Sequence, residues 1–119
     1  MQDLSYIPTI DVGKSSEELK LIGIHIGIPW ADEMIAMAFK HENIYIIADA
    51  HAPRYWPASF VHYLNSYGRH KVMYGTDFPV LDFSRYRREV DELSLKPEVQ
   101  QLFFRDNAIR VFKLDQRKV

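Results

Sequence analysis

Three short apolar runs recur along the chain, and each is followed by a segment with helical spacing. The runs are Leu21-Ile22-Gly23-Ile24-His25-Ile26, Ile44-Tyr45-Ile46-Ile47-Ala48 and Lys71-Val72-Met73-Tyr74-Gly75. Nearly continuous apolar stretches of this length suit strands buried on both faces, as in parallel sheets. The pattern predicts three parallel strands near 20–26, 44–49 and 71–76, adjacent in that order, with helices packed on one face. Pro29 opens the first helix, with Asp32 and Glu33 at the positive end of its dipole. Trp30, Met34, Met37 and Ala38 form its apolar stripe, Lys40 and His41 close its last turn, and Asn43 sits at C′. After Pro53 and Pro57, a second helix aligns Phe60, Tyr63, Leu64 and Tyr67 and is stopped by Gly68. After Pro79, a third carries Phe83, Tyr86, Val90 and Leu93; Pro97 restarts a last helical region through Val99, Leu102 and Phe103, ending near 107–114. Residues through about Lys14 read as loop, and Ser15-Ser16-Glu17-Glu18 has the form of a capping box. Strand and helix alternating three times predict an α/β fold with right-handed crossovers.

A length of 119 residues fits one domain: a lead-in over 1–19, then βαβαβα and C-terminal helices over 20–114. Hydrophobic residues at 47% and charged residues at 26% are ordinary globular values. A formal net charge of −1 gives no footprint for a phosphate backbone, so nucleic acid is excluded as a partner. The chain has no cysteine, which removes disulfides and thiolate metal sites and fits a reducing cytosol. Met1-Gln2-Asp3-Leu4-Ser5 is unlike a signal peptide, and no apolar run approaches the roughly 20 residues that span a bilayer. The expectation is a soluble cytoplasmic protein without a membrane partner.

Each strand run delivers ionisable groups where it stops. The first ends at His25; the second at Asp49, with His51 and Arg54 just beyond; the third at Thr76-Asp77. In parallel α/β folds, ligands and catalysis sit at this C-terminal edge. His25 and Asp77 are therefore expected to face one shared cleft. Asp49 and His51 suggest a pair. Arg54 either binds a substrate carboxylate through its fork or anchors its own loop. Simpler readings compete: a strand-end histidine without chemistry for His25, and a cap on the following helix for Asp77. The cluster Arg85-Tyr86-Arg87-Arg88, balanced by Glu89, Asp91 and Glu92, reads as a solvated helix face.

Four segments in register carry a family resemblance. His25-Ile26-Gly27-Ile28-Pro29-Trp30-Ala31-Asp32-Glu33 resembles the H-x-G-x-P-W-x-D-E segment at the sixth barrel strand of the amidohydrolase-related family, which includes aminocarboxymuconate-semialdehyde decarboxylase-like enzymes. Asn43-Ile44-Tyr45-Ile46 and Ala52-Pro53-Arg54-Tyr55-Trp56-Pro57 resemble its seventh strand and the loop after it. Lys71 to Pro79 resembles its eighth strand, and Asp106-Asn107-Ala108 with Val111-Phe112-Lys113-Leu114 its closing helix. The resemblance implies the C-terminal part, about strands 6–8, of a TIM-like (β/α)8 barrel of metal-dependent hydrolases. It implies that Asp77 ligates a divalent metal, usually zinc, or handles the proton of its bound water. His25 would polarise substrate or shuttle a proton, and Trp30, His51 and Arg54 would line the substrate pocket.

The family's first-strand His-x-His pair and fifth-strand histidine have no match here, because the five histidines are His25, His41, His51, His62 and His70. A barrel of this kind needs roughly 250 residues. The implied function is a hydrolase or decarboxylase acting on a small carboxylated or carbonyl substrate, inactive as this stretch alone and binding no zinc tightly by itself. The implied partners are that substrate and either a missing N-terminal half or further copies of the chain. The alternative is a non-catalytic remnant, an α/β module acting by self-association or protein contact.

Overall fold

A computed structural model of the protein describes residues 19–77, 79 and 81–114. The lead-in loop and the capping box at 15–18 lie outside the described residues. Three strands, β1 (Leu21–Gly23), β2 (Ile44–Ala48) and β3 (Val72–Tyr74), form one sheet in the order β1-β2-β3. Both pairings are parallel, with Gly23 opposite Ile46 and Ile46 opposite Val72. The predicted order and direction therefore hold, while the strands are shorter than their apolar runs. β1 stops at Gly23; Ile24 follows, and His25–Gly27 form a single 3-10 turn in which His25 and Ile26 have φ of 58° and 59°. The apolar run continues past the strand because Ile26 is needed in the core, where it is fully buried.

Helices α1 (Ala31–Lys40), α2 (Ala58–Leu64) and α3 (Phe83–Glu92) follow the three strands in turn. A continuous helical segment closes the described chain: α4 (Pro97–Gln101), one wider π-helical turn (Leu102–Asp106) and α5 (Asn107–Phe112). Period-2 side-chain alternation divides the sheet into two faces. Ile44, Ile46, Ala48, Val72 and Tyr74 join the helices' core residues Ile35, Phe60, Leu64, Tyr86, Val90 and Phe103. Ile22, Tyr45 and Ile47, on the opposite face, are only partly buried. Trp56 is wedged edge-on among Phe60, Tyr86 and Phe103. It ties the loop after β2 to α2, α3 and the closing helix.

The helix stripes differ in detail from their expected phase. In α1 the buried set is Ala31, Ile35 and Ala38, and Trp30 is a partly exposed residue at the cap preceding the helix. Asn43 is not at a helix C′ but is buried, and its side chain donates to Leu19 O at 3.2 Å. Tyr67 and Phe83 are exposed. Gly68 does not itself stop α2, which ends at Leu64 with Asn65 as its cap; it lies in the turn beyond, where its N–H donates to Tyr63 O at 2.7 Å and a Cβ would lie 2.3 Å from the Tyr63 ring.

The expected solvated face of α3 needs one correction. Glu89 is buried, at 3% exposure, where its carboxylate takes Arg85 Nε at 2.7 Å and the Arg54 backbone N–H at 2.9 Å. A buried carboxylate is tolerated because charged and backbone donors surround it. Asn107 is fully buried and latches the closing helix to β3, donating to Arg69 O at 2.7 Å and Val72 O at 2.8 Å.

Candidate functional site

Parallel strands place all three C-terminal ends on one edge, and the chemistry-bearing residues meet there. One ligand atom each from His25, Asp49 and Asp77 lies within 4.8 Å of the other two. His25 and Asp77 thus meet at one edge of the sheet, as expected, and Asp49 joins them from the strand between. Asp49 is 8% exposed, His25 is partly buried and Asp77 is exposed.

The backbone at this edge is unusual. His25, Ile26, Ala50 and Asp77 all have positive φ, from 58° to 69°, so every strand-end turn holds a non-glycine residue in the left-handed region. Ala50 sits in a tight γ-turn, with His51 N–H donating to Asp49 O at 2.8 Å. Such conformations cost on the order of 1 kcal/mol or more each and cluster at functional sites. The remaining positive-φ non-glycine residues, Ser94 and Lys113, follow helix ends, where a left-handed residue is ordinary.

Asp49 holds His25 at two points. Its Oδ1 accepts the His25 backbone N–H at 2.6 Å, and its Oδ2 lies 3.2 Å from His25 Nδ1. The second contact is close but poorly aligned, so Nδ1 is buried without a full hydrogen bond among the described residues. The sequence suggested Asp49 with His51 instead. The His51 ring stands edge-on to His25 with centroids 6.5 Å apart, and its carbonyl accepts from Trp56 Nε1 at 2.9 Å.

The other site residues are placed around this cluster. Arg54 lies in a 3-10 turn, Pro53–Tyr55, with its Nε 3.8 Å from the Glu89 carboxylate, so it does anchor its loop. Its side chain remains 57% exposed. Trp30 stands just beyond the His25–Gly27 turn, with its N–H donating to Gly27 O at 2.6 Å. Glu89 was missed as a support of the site. The signal was its place in the Tyr86, Glu89, Val90 spacing, which is one buried helix stripe. Burial pushes the Glu89 carboxyl up, but Arg85 and the Arg54 N–H outweigh it and hold the group below the usual carboxylate range.

Comparisons with known proteins bear on the family and the fold. The family model described as amidohydrolase matches residues 10–114. A crystal structure of an uncharacterised TIM-barrel protein from Bordetella bronchiseptica is similar at 27% identity and a TM-score of 0.73, over 80% of this chain and 34% of that one. An amidohydrolase from Burkholderia multivorans, solved with bound zinc, shares the fold at 17% identity and a TM-score of 0.57, over 81% of this chain and 44% of its own. The chain therefore spans a third to under a half of the length of these barrels. No curated protein matches the sequence. With the model matched over nearly the whole chain and the strand-end cluster in the place a barrel uses for catalysis, this protein belongs to the amidohydrolase family.

Proposed function

We propose that this chain supplies the last strand ends of an active site that hydrolyses or decarboxylates a small carboxylated or carbonyl substrate at a divalent metal ion. The observation that carries the reading is the convergence of His25, Asp49 and Asp77. The donor chemistry fits a metal: one imidazole and two carboxylates are the nitrogen and oxygen ligands that zinc and similar ions take. Both Asp49 oxygens already face His25. That leaves Asp77 and one ring nitrogen of His25, short of the three protein ligands usual in catalytic zinc sites. The remaining ligands then come from strands beyond this stretch, and the chain alone holds zinc more weakly than micromolar.

When bound, the ion supplies Lewis acidity and a water that is acidic near neutrality. Asp77, exposed at the cleft, takes up the proton of the attacking water or holds the ion. His25 polarises the substrate oxygen or passes it a proton, as an imidazole can near neutral pH. Trp30, His51 and the outer nitrogens of Arg54 bound the substrate side. The chain works in the cytoplasm, with the N-terminal barrel strands as its partner.

The test is a graft of residues 19–114 into the matching part of the zinc-bound Burkholderia protein, followed by zinc analysis and a screen of amides, esters and aromatic carboxylates. About one zinc per chain, lost with Asp77→Ala, supports the reading. A folded graft that holds no ion, or holds it equally without Asp77, contradicts it.

A second reading is favoured by the partly buried face of Ile22, Tyr45 and Ile47 and, among the described residues, by the outer edge of β1. It is a non-catalytic module acting by self-association. Unpaired strands and bare apolar faces promote pairing with other chains. Covering a few hundred Å2 contributes several kcal/mol at roughly 25 cal/mol per Å2. Light scattering behind size exclusion reads this directly: oligomers are expected, and a stable peak at 14.0 kDa opposes it.

A further inference from the structure

We infer that Asp49 is the positioning residue of His25: it fixes the ring proton on Nδ1 and leaves Nε2 as the atom that works in the cleft. The inference rests on the reading that His25 takes part in the chemistry. It concerns a residue that neither the sequence motifs nor the family resemblance assigned to His25.

The two carboxylate oxygens of Asp49 divide their work. Oδ1 accepts the backbone N–H of His25 at 2.6 Å, and Oδ2 stands 3.2 Å from Nδ1. The first contact holds the His25 backbone in its left-handed conformation, at φ 58°, which a residue with a Cβ does not adopt without support. The second sets the tautomer. A carboxylate oxygen only accepts, so the ring nitrogen facing it must donate. Nδ1 is buried and has no hydrogen-bond partner among the described residues, so Asp49 Oδ2 is the acceptor nearest to hand and no other group competes for that proton. The poor alignment of the contact does not oppose this, because hydrogen bonds in unliganded sites are often long and tighten on binding.

The fold makes room for this arrangement. Asp49 is 8% exposed at the end of the central strand. Beside it on the chain leaving β3, Gly75 has no side chain, and a Cβ there would lie 3.2 Å from Asp49 Cβ and 2.8 Å from Ile47 Cγ2. Asp49 is thus packed against a gap in the neighbouring strand end, which limits where its carboxylate can go. Carboxylate–imidazole pairs of this kind govern which nitrogen a histidine presents to a metal or substrate.

The experiment reads the tautomer itself. The full 119-residue chain, labelled with 15N-histidine and freed of metal with a chelator, is sedimented and examined by magic-angle-spinning NMR. Spectra are recorded over a rising pH series, and the tautomer is read where only one ring nitrogen carries a proton. Sedimented protein gives this spectrum whatever its assembly size. His25→Gln identifies the signal by deleting it. The wild-type chain is expected to carry the His25 proton on Nδ1.

Asp49→Asn is expected to invert the tautomer. In that variant the His25 backbone N–H holds the oxygen of the new side-chain amide toward itself, which turns the amide NH2 toward Nδ1. Nδ1 must then accept, and the proton moves to Nε2. A merely structural role for Asp49 would change stability and leave the tautomer where it was. A wild-type proton on Nε2 overturns the proposal, and so does a folded Asp49→Asn chain with the tautomer unchanged. If Asp49→Asn does not fold, the wild-type spectrum decides alone. Metal and substrate are absent throughout, so a failed zinc graft would sink the functional reading without touching this result.

Discussion

Asn107→Ala removes the latch between the closing helix and β3, and its cost follows from the structure. The side chain is fully buried and donates two hydrogen bonds, at 2.7 Å to Arg69 O and 2.8 Å to Val72 O. Each bond contributes about 1 kcal/mol net. Val72 O, a buried acceptor at the outer strand, would also lose its partner, adding a penalty of about 1–2 kcal/mol. Arg69 O is only partly buried, so water recovers most of its share. The sum is about 3 kcal/mol, a large fraction of the roughly 5–15 kcal/mol by which domains are stable. Urea unfolding followed by circular dichroism measures it. With a slope of about 1–2 kcal/mol per molar for a chain of this size, the midpoint falls by about 1.5–3 M at unchanged slope. A shift under about 0.5 M would refute the claim that this residue, and not the apolar contacts of Ile109 and Val111, holds the closing helix in place.

Three further predictions concern pH. Glu89 is held below the usual carboxylate range by Arg85 and the Arg54 N–H despite its burial, so its contribution is present above the unfolded pKa of about 4.5 and is lost as pH falls through the folded value. Acid titration of stability should therefore flatten in Glu89→Gln; an unchanged acid limb would show that the carboxylate is not paired as described. Burial pushes the Lys71 ammonium down to about 8, although the carbonyls of His41 and Glu42 accept from it. The unfolded chain then binds more protons above that pH, so stability rises between about 8 and 10. Lys71→Met should remove the rise. Burial of Tyr63, with its pKa pushed up to about 12, sets the opposite trend: stability falls as pH rises above about 10. Tyr63→Phe should abolish that fall in a urea series.

Most of the scaffold was legible because it rests on periodicity. Apolar runs at 21–26, 44–48 and 71–75 marked three strands, and their order followed from strand–helix alternation. The ends of those runs were less legible. His25 and Ile26 look like strand residues by hydrophobicity, yet both turn back in the left-handed region, where a carboxylate 24 positions away takes the His25 N–H. No local pattern encodes that contact. His25 and Asp77 were read at one cleft from parallel topology alone. Asp49 was seen but given His51 for a partner, since adjacency in sequence suggested it; the sheet places Asp49 beside β1 instead. Arg54 had two readings, and its loop-anchoring contact came from Glu89, whose charge had disguised a buried position on α3.

The central claim is that His25, Asp49 and Asp77 form one metal-facing cluster at the strand ends. Paramagnetic broadening by Mn2+ tests it directly, because it detects even weak binding and locates it. Titrated into the 15N-labelled chain, the ion should first broaden the amides around His25, Ala50, His51 and Asp77, and Asp77→Ala should abolish the effect. Broadening that begins elsewhere, for example around Glu98 and Asp106 on the closing helix, or that survives Asp77→Ala, would contradict the account.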